Sequence, residues 1–180
     1  MAVVAAQVGC SVSADPAPDE TAVLVGRLAR LGLTLAVAES LTGGELVAEL
    51  TRPAGASAVV LGGVVVYATE LKHTLVGVDA GLLAQFGPVH PEVAAQLARG
   101  VRSHLSVGGV DASIGLATTG VAGPGPQGGH APGTVFVGVS IADRTRVVEL
   151  ALTGTREEIR KAVVRRVIAE LAGDVEALSV

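Results

Sequence analysis

The chain has 180 residues, 13 Lys+Arg against 17 Asp+Glu, and a formal net charge of −4. That length fits one domain, and the acidic balance excludes a broad basic face for nucleic acid. Hydrophobic residues make up 49% but aromatics only 2%, so the core must be built from Ala, Val and Leu, and disorder of the whole chain is excluded.

Residues 1–18 are expected to form an N-terminal tail, with Asp15-Pro16-Ala17-Pro18 as its loop. Cys10 is the single cysteine, which excludes an internal disulfide. No apolar run of about 18 residues is free of Gly or charge, so no membrane span is expected and the cytoplasm is the expected compartment. Asp19 is placed to cap a helix whose apolar residues Val23, Leu24, Leu28 and Leu31 recur at helical spacing, and Gly32 ends it. Leu33–Ala38 reads as a buried strand, Gly44–Leu50 as a helix stopping before Pro53, and Ala58–Tyr67 as a Val-rich strand with a glycine pair inside it.

Thr69–Leu75 and Asp79–Gln85 read as short helices. Pro91 opens a longer one with Val93, Ala94, Leu97, Val101 and Leu105 on its apolar face. Ser113–Ala117 reads as a strand and Thr118–Gly133 as a long loop dense in Gly and Pro. Thr134–Ile141 and Arg146–Leu152 form a hairpin about Ala142-Asp143-Arg144. Thr155–Ala172 is the last helix, with Ile159, Val163, Val167, Ile168 and Leu171 on one face. The alternation of strands and helices, ending in a hairpin, predicts a three-layer α/β/α sandwich with a mixed, mainly parallel sheet of about five strands. One domain over residues 19–172 and a C-terminal tail over 173–180 follow.

Sites in such sheets sit at the carboxyl ends of strands. Two loops are placed that way. Ala38-Glu39-Ser40-Leu41-Thr42-Gly43-Gly44 joins a strand to a helix, where glycines permit a sharp turn and free amides face a ligand. The ordinary reading of Ser40 or Thr42 is a helix N-cap, the commoner case at such junctions. Thr118–Gly133 can form a backbone nest for an anion, but lacks the Gly-Lys-Ser/Thr of a phosphate loop. Tyr67 ends a strand and Lys72 follows on a helix. A lysine with a lowered pKa can activate a serine, although ring packing and a solvated cation are the ordinary readings. Arg156 opens the last helix and can bind phosphate, while Arg160, Lys161, Arg165 and Arg166 read as a solvated face. His73, His90, His104 and His130 have no paired ligand spacing, so no metal is expected.

Four blocks in order carry a resemblance to a known family: AES-L-TGG from Ala38 to Gly44, GGVVVY with Lys72 and Leu75-Val76-Gly77-Val78, TGVAGP from Thr119 with Gly133-Thr134-Val135, and Gly154-Thr155-Arg156. Together they resemble the C-terminal domain of the competence/damage-inducible CinA family, whose catalytic members deamidate nicotinamide mononucleotide (NMN). The resemblance covers Asp19 to Leu171 and implies the stand-alone form, without the separate N-terminal domain of the long CinA proteins. It also implies hydrolysis of NMN to nicotinate mononucleotide and ammonia in pyridine nucleotide recycling, with no cofactor, in a homo-oligomer. By position, Ser40 is the implied nucleophile and Lys72 its base, with Tyr67 orienting Lys72 or shuttling a proton. Thr42, Gly43 and Gly44 supply hydroxyl and amide groups, and Thr119, Gly120, Ala122, Gly123 and Arg156 hold the nucleotide. The chain departs from the family pattern at Thr119 (usually Ser), Thr69 (usually Asn), His90 (usually Ser) and His130-Ala131-Pro132 (usually Lys-Pro-Val). The alternatives are a non-catalytic nucleotide-binding module of the same fold and an amidase for a different amide.

Overall fold

Leu35–Glu39 (β1) is buried at every residue, as expected of an apolar run flanked by strands on both sides. It pairs in parallel with Val60–Val65 (β2) on one side and Ile114–Gly120 (β3) on the other. Thr134–Ile141 (β4) runs antiparallel to β3, and Arg144–Ala151 (β5) antiparallel to β4. The sheet order is β2-β1-β3-β4-β5, so only β4 opposes the other four strands. The computed structural model describes residues 19–178. The predicted N-terminal tail and Cys10 lie outside them. Among the described residues no helix is long and apolar enough to cross a membrane.

The pleat sorts the core into two layers. Leu35 and Val37 face Glu20–Leu31 (α1), Glu45–Thr51 (α2) and Arg156–Ala177 (α6), whose Leu28, Leu46, Leu50, Ile159, Val163 and Val167 are buried with them. Ala36 and Ala38 face Thr69–Val76 (α3), Ala80–Phe86 (α4) and Pro91–His104 (α5), through Val76, Leu83, Val93 and Leu97. These are the three layers of the expected α/β/α sandwich.

The scarcity of aromatics has a structural counterpart. Small residues bring α5 almost onto the sheet: a Cβ at Gly115 or Gly138 would overlap the carbonyl of Ala98 or Ala94. Gly115→Ala should therefore lower stability by about 1–3 kcal/mol, the usual cost of overpacking. Gly173→Ala on α6, where a Cβ meets nothing within 4 Å, should raise it by up to about 1 kcal/mol. Urea unfolding of the two variants measures both, and equal effects would contradict this packing.

Several ends differ from the expected ones. Thr118, Thr119 and Gly120 extend β3 instead of opening the loop, because each pairs with β4. The hairpin turn is the two residues Ala142-Asp143, since Arg144 already pairs with Ile141. The last helix runs to Ala177 rather than Ala172, so residues 173–177 are helix and not tail. Gly173 does not stop it, because Val175 continues the apolar face and Asp174 with Glu170 grips Arg146 of β5 at 2.6 and 2.9 Å.

Candidate functional site: a buried serine–lysine pair

Ser40 follows the last residue of β1, and the side-chain alternation of the strand decides what surrounds it. Glu39 points to the α2 side and Ser40 to the α3 side. Glu39, only 1% exposed, caps α2: its carboxylate accepts the amides of Gly44 (2.9 Å), Leu46 (3.1 Å) and Val47 (2.8 Å). An anion at that end also meets the positive pole of the helix. Neither Ser40 nor Thr42 caps α2. Thr42 instead shares a 2.8 Å hydroxyl–hydroxyl bond with Thr118 of β3. The Ser40 amide donates to the Thr118 carbonyl (3.1 Å), which locks the turn to the sheet.

Lys72 sits one turn into α3 and is fully buried, not a solvated cation. Its Nζ lies 3.2 Å from Ser40 Oγ, 2.6 Å from the Val66 carbonyl and 3.4 Å from the Tyr67 carbonyl. No carboxylate pairs with it among the described residues. Desolvation lowers its pKa from the ordinary lysine value to about 8. As an ammonium Lys72 donates to the Ser40 hydroxyl and to both carbonyls; once deprotonated it has two hydrogens for the carbonyls and a lone pair free for the hydroxyl proton.

A cleft of about 340 Å³ opens over the pair. Ser40, Leu41, Tyr67, Lys72, Thr119 and Arg156 line it together with residues 120–123 and 125–127. Thus Ser40, Lys72, Tyr67, Thr119, Gly120, Ala122, Gly123 and Arg156 meet in one place, from four separate segments. Thr42, Gly43 and Gly44 are not among the lining residues. Gly44 spends its amide on Glu39, and Gly43 donates to the Ser40 carbonyl at 3.2 Å. Tyr67 is 60% exposed at the cleft mouth, and its hydroxyl accepts from Arg156 Nη2 at 3.0 Å. Its backbone carbonyl, rather than its phenol, reaches Lys72. Arg156 Nη1 also donates to the Gly123 carbonyl (2.8 Å), tying the glycine-rich loop to the mouth. Thr119 Oγ1 donates to the Pro88 carbonyl (2.6 Å), which fixes the opposite lip. His130 stands edge-on to the Phe136 ring and is not a lining residue.

Two residues escaped the sequence reading. Glu39 is a charged residue at the end of a buried strand, and that placement was its available signal. Arg160 does not belong to a solvated face: its Nε and Nη2 donate to the carbonyls of Leu41 (3.0 Å) and Thr42 (2.8 Å), and it pairs with Glu45 at 2.8 Å. Lys161 and Arg166 do follow the expectation, in i,i+4 pairs with Glu157 and Glu170.

Fold and site together define an α/β domain with a buried serine–lysine pair at the carboxyl end of β1, an interior strand of its sheet, beside a glycine-rich cleft. The chain belongs to the CinA family: residues 19–175 match the CinA C-terminal domain. It is similar to a CinA-like protein of Frankia casuarinae, at 47% identity over 156 residues, covering 83% of this chain and 35% of that protein. A CinA-like protein of Gemmatimonas aurantiaca is 39% identical over 176 residues, covering 93% of this chain and 40% of the relative. The chain therefore spans about a third of the length of such curated relatives. Among solved structures, a CinA superfamily protein from Enterobacter cloacae superposes with a TM-score of 0.82 at 27% identity, over 94% of this chain and 99% of that one. A competence or damage-inducible protein from Enterobacter asburiae gives 0.81 at 30% identity, over 87% and 96%.

Proposed function

We propose that the domain is an amidohydrolase that deamidates NMN to nicotinate mononucleotide and ammonia. The observation that carries this reading is the buried Lys72 amine, 3.2 Å from the Ser40 hydroxyl and without a carboxylate partner among the described residues. Neutral Lys72 takes the Ser40 proton as Oγ attacks the carboxamide carbon. The ammonium of Lys72 then protonates the leaving nitrogen, ammonia departs, and water hydrolyses the acyl-enzyme with Lys72 again as base. The amides of Gly43 and Gly44 are already engaged, so the donor to the oxyanion is assigned to Leu41, which lines the cleft and whose amide has no partner among the described residues. One such donor contributes about 3–4 kcal/mol to the transition state.

The cleft volume lies within the range of small-molecule sites, roughly 300–1,000 Å³. Arg156 uses two of its N–H groups on Gly123 and Tyr67 and keeps the rest for the nucleotide phosphate. The function thus belongs to pyridine nucleotide recycling.

The test is ammonia release from NMN, with nicotinamide riboside as a second substrate and Ser40→Ala as control. Release from NMN alone, lost in Ser40→Ala, is the expected result. Equal release from the riboside would remove the phosphate site. Full turnover by Ser40→Ala would overturn the mechanism, and binding without turnover would leave a nucleotide-binding module.

A further inference from the structure

We propose that Arg160 is a positioning residue for the Ser40 nucleophile, holding the turn that presents it to Lys72 through a two-pronged grip on the carbonyls of Leu41 and Thr42. The inference rests on the reading of Ser40 as an activated nucleophile, but not on which amide is the substrate.

The turn from Ser40 to Gly44 lies between β1 and α2 and has no ladder or helix of its own to stiffen it. The Thr42–Thr118 hydroxyl bond (2.8 Å) and the Gly43 amide on the Ser40 carbonyl (3.2 Å) help to set its shape, and three further contacts hold it. Glu39 holds its far end by capping α2, and the Ser40 amide holds its near end to Thr118. Arg160 supplies the middle. One planar guanidinium donates through Nε to Leu41 O at 3.0 Å and through Nη2 to Thr42 O at 2.8 Å, and Nη2 also meets Glu45 Oε1 at 2.8 Å. It therefore bridges the turn to the first residue of α2.

The approach depends on Gly43. That residue has φ +62°, and a Cβ there would stand 3.2 Å from Arg160 Nη2. The base of the arginine is also firm. Its neighbours Ile159 and Val163 are buried in the layer that contains Leu41 and Leu46. A lysine keeps the charge but cannot form the fork. Reacting groups are sensitive to placement, and a shift of about 1 Å can cost about 100-fold in rate.

The experiment reads Ser40 directly, with an alkyl fluorophosphonate as probe. Ser40 Oγ attacks phosphorus, the O–P bond forms, the P–F bond breaks, fluoride leaves, and Lys72 takes the hydroxyl proton. Intact mass follows the labelling rate across pH, at a temperature where circular dichroism shows every variant folded. Arg160→Ala should label about 100-fold more slowly, with the midpoint of its pH profile unchanged because Lys72 is untouched. Methylguanidine should restore the rate in Arg160→Ala, and Arg160→Lys should recover only part of it. Labelling of Arg160→Ala within about threefold of wild type overturns the proposal. So does a loss that follows reduced thermal stability alone and that methylguanidine does not repair. A wild-type Ser40 that does not label overturns both this proposal and the serine mechanism. Labelling without ammonia release from NMN overturns only the proposed substrate.

Discussion

Lys72→Met should abolish ammonia release and at the same time raise the stability of the domain. Lys72 is fully buried with no carboxylate paired to it among the described residues, and burial lowers its pKa from 10.5 to about 8. The unfolded chain therefore binds more protons than the folded one between those two values. Below pH 8 both states are protonated and the folded state bears the whole cost of the buried ammonium, about 3 kcal/mol. That cost is relieved as pH rises from 8 toward 10.5. Methionine fills a similar volume and carries no charge. It leaves the Val66 carbonyl without its donor, which returns about 1–3 kcal/mol of the gain. The net expectation at pH 7 is a gain of up to about 2 kcal/mol by chemical denaturation, shrinking toward zero or reversing by pH 10. A variant that is less stable than wild type at pH 7 would contradict the cost assigned to this amine. The same titration governs turnover. In the proposed mechanism neutral lysine is the base, so the rate should climb with pH and level off above about 8.

Glu39→Ala should be strongly destabilising although Glu39 does not line the cleft. It removes the acceptor of the Gly44, Leu46 and Val47 amides at one buried point. A buried donor left without a partner, as at Leu46, costs about 1–3 kcal/mol, the partly buried Gly44 and Val47 amides cost less, and water entering the hole recovers part of it. A loss of about 3–5 kcal/mol is expected by urea unfolding, together with loss of fluorophosphonate labelling at Ser40. Glu39→Gln keeps one acceptor oxygen and should fall between. A fully stable Glu39→Ala would mean that α2 does not depend on this carboxylate.

Regular elements with an apolar run or a clear cap were legible in the sequence. Thr134–Ile141 is bounded by Gly133 and by the Ala142-Asp143 turn, and both ends match the structure. Asp19 and Gly32 mark the ends of α1 because each signal is local: a side-chain oxygen on the Ala22 amide and a left-handed φ of 66°. Ser40 and Lys72 were legible as candidates because a strand–turn–helix junction and a lysine after a strand are local patterns. Their meeting was not, since it depends on α3 folding back over the carboxyl end of β1. Arg160 shows the limit most clearly. On its own helix it looks like Lys161 or Arg166, and only the packing of α6 against α2 separates it from them. Glu39 was hidden for the opposite reason. The helix it caps begins where Ser and Thr stand nearby, and those are the commoner caps.

The grip of Arg160 bears on the order in which the domain becomes competent. Ser40 stands early in the chain, yet the grip on its turn comes from α6, the last element described. Every contact that α6 makes with the turn closes a loop of more than a hundred residues, so it is entropically expensive and forms late. A nascent chain can lay down β1, α2, β2 and α3 on the ribosome and bring serine and lysine near each other while still lacking the clamp. Proteolysis within α6 would return the domain to that state. If Arg160 positions Ser40 as proposed, the serine reaches its full reactivity once synthesis has passed α6, and a chain truncated or nicked there should label more slowly with the fluorophosphonate.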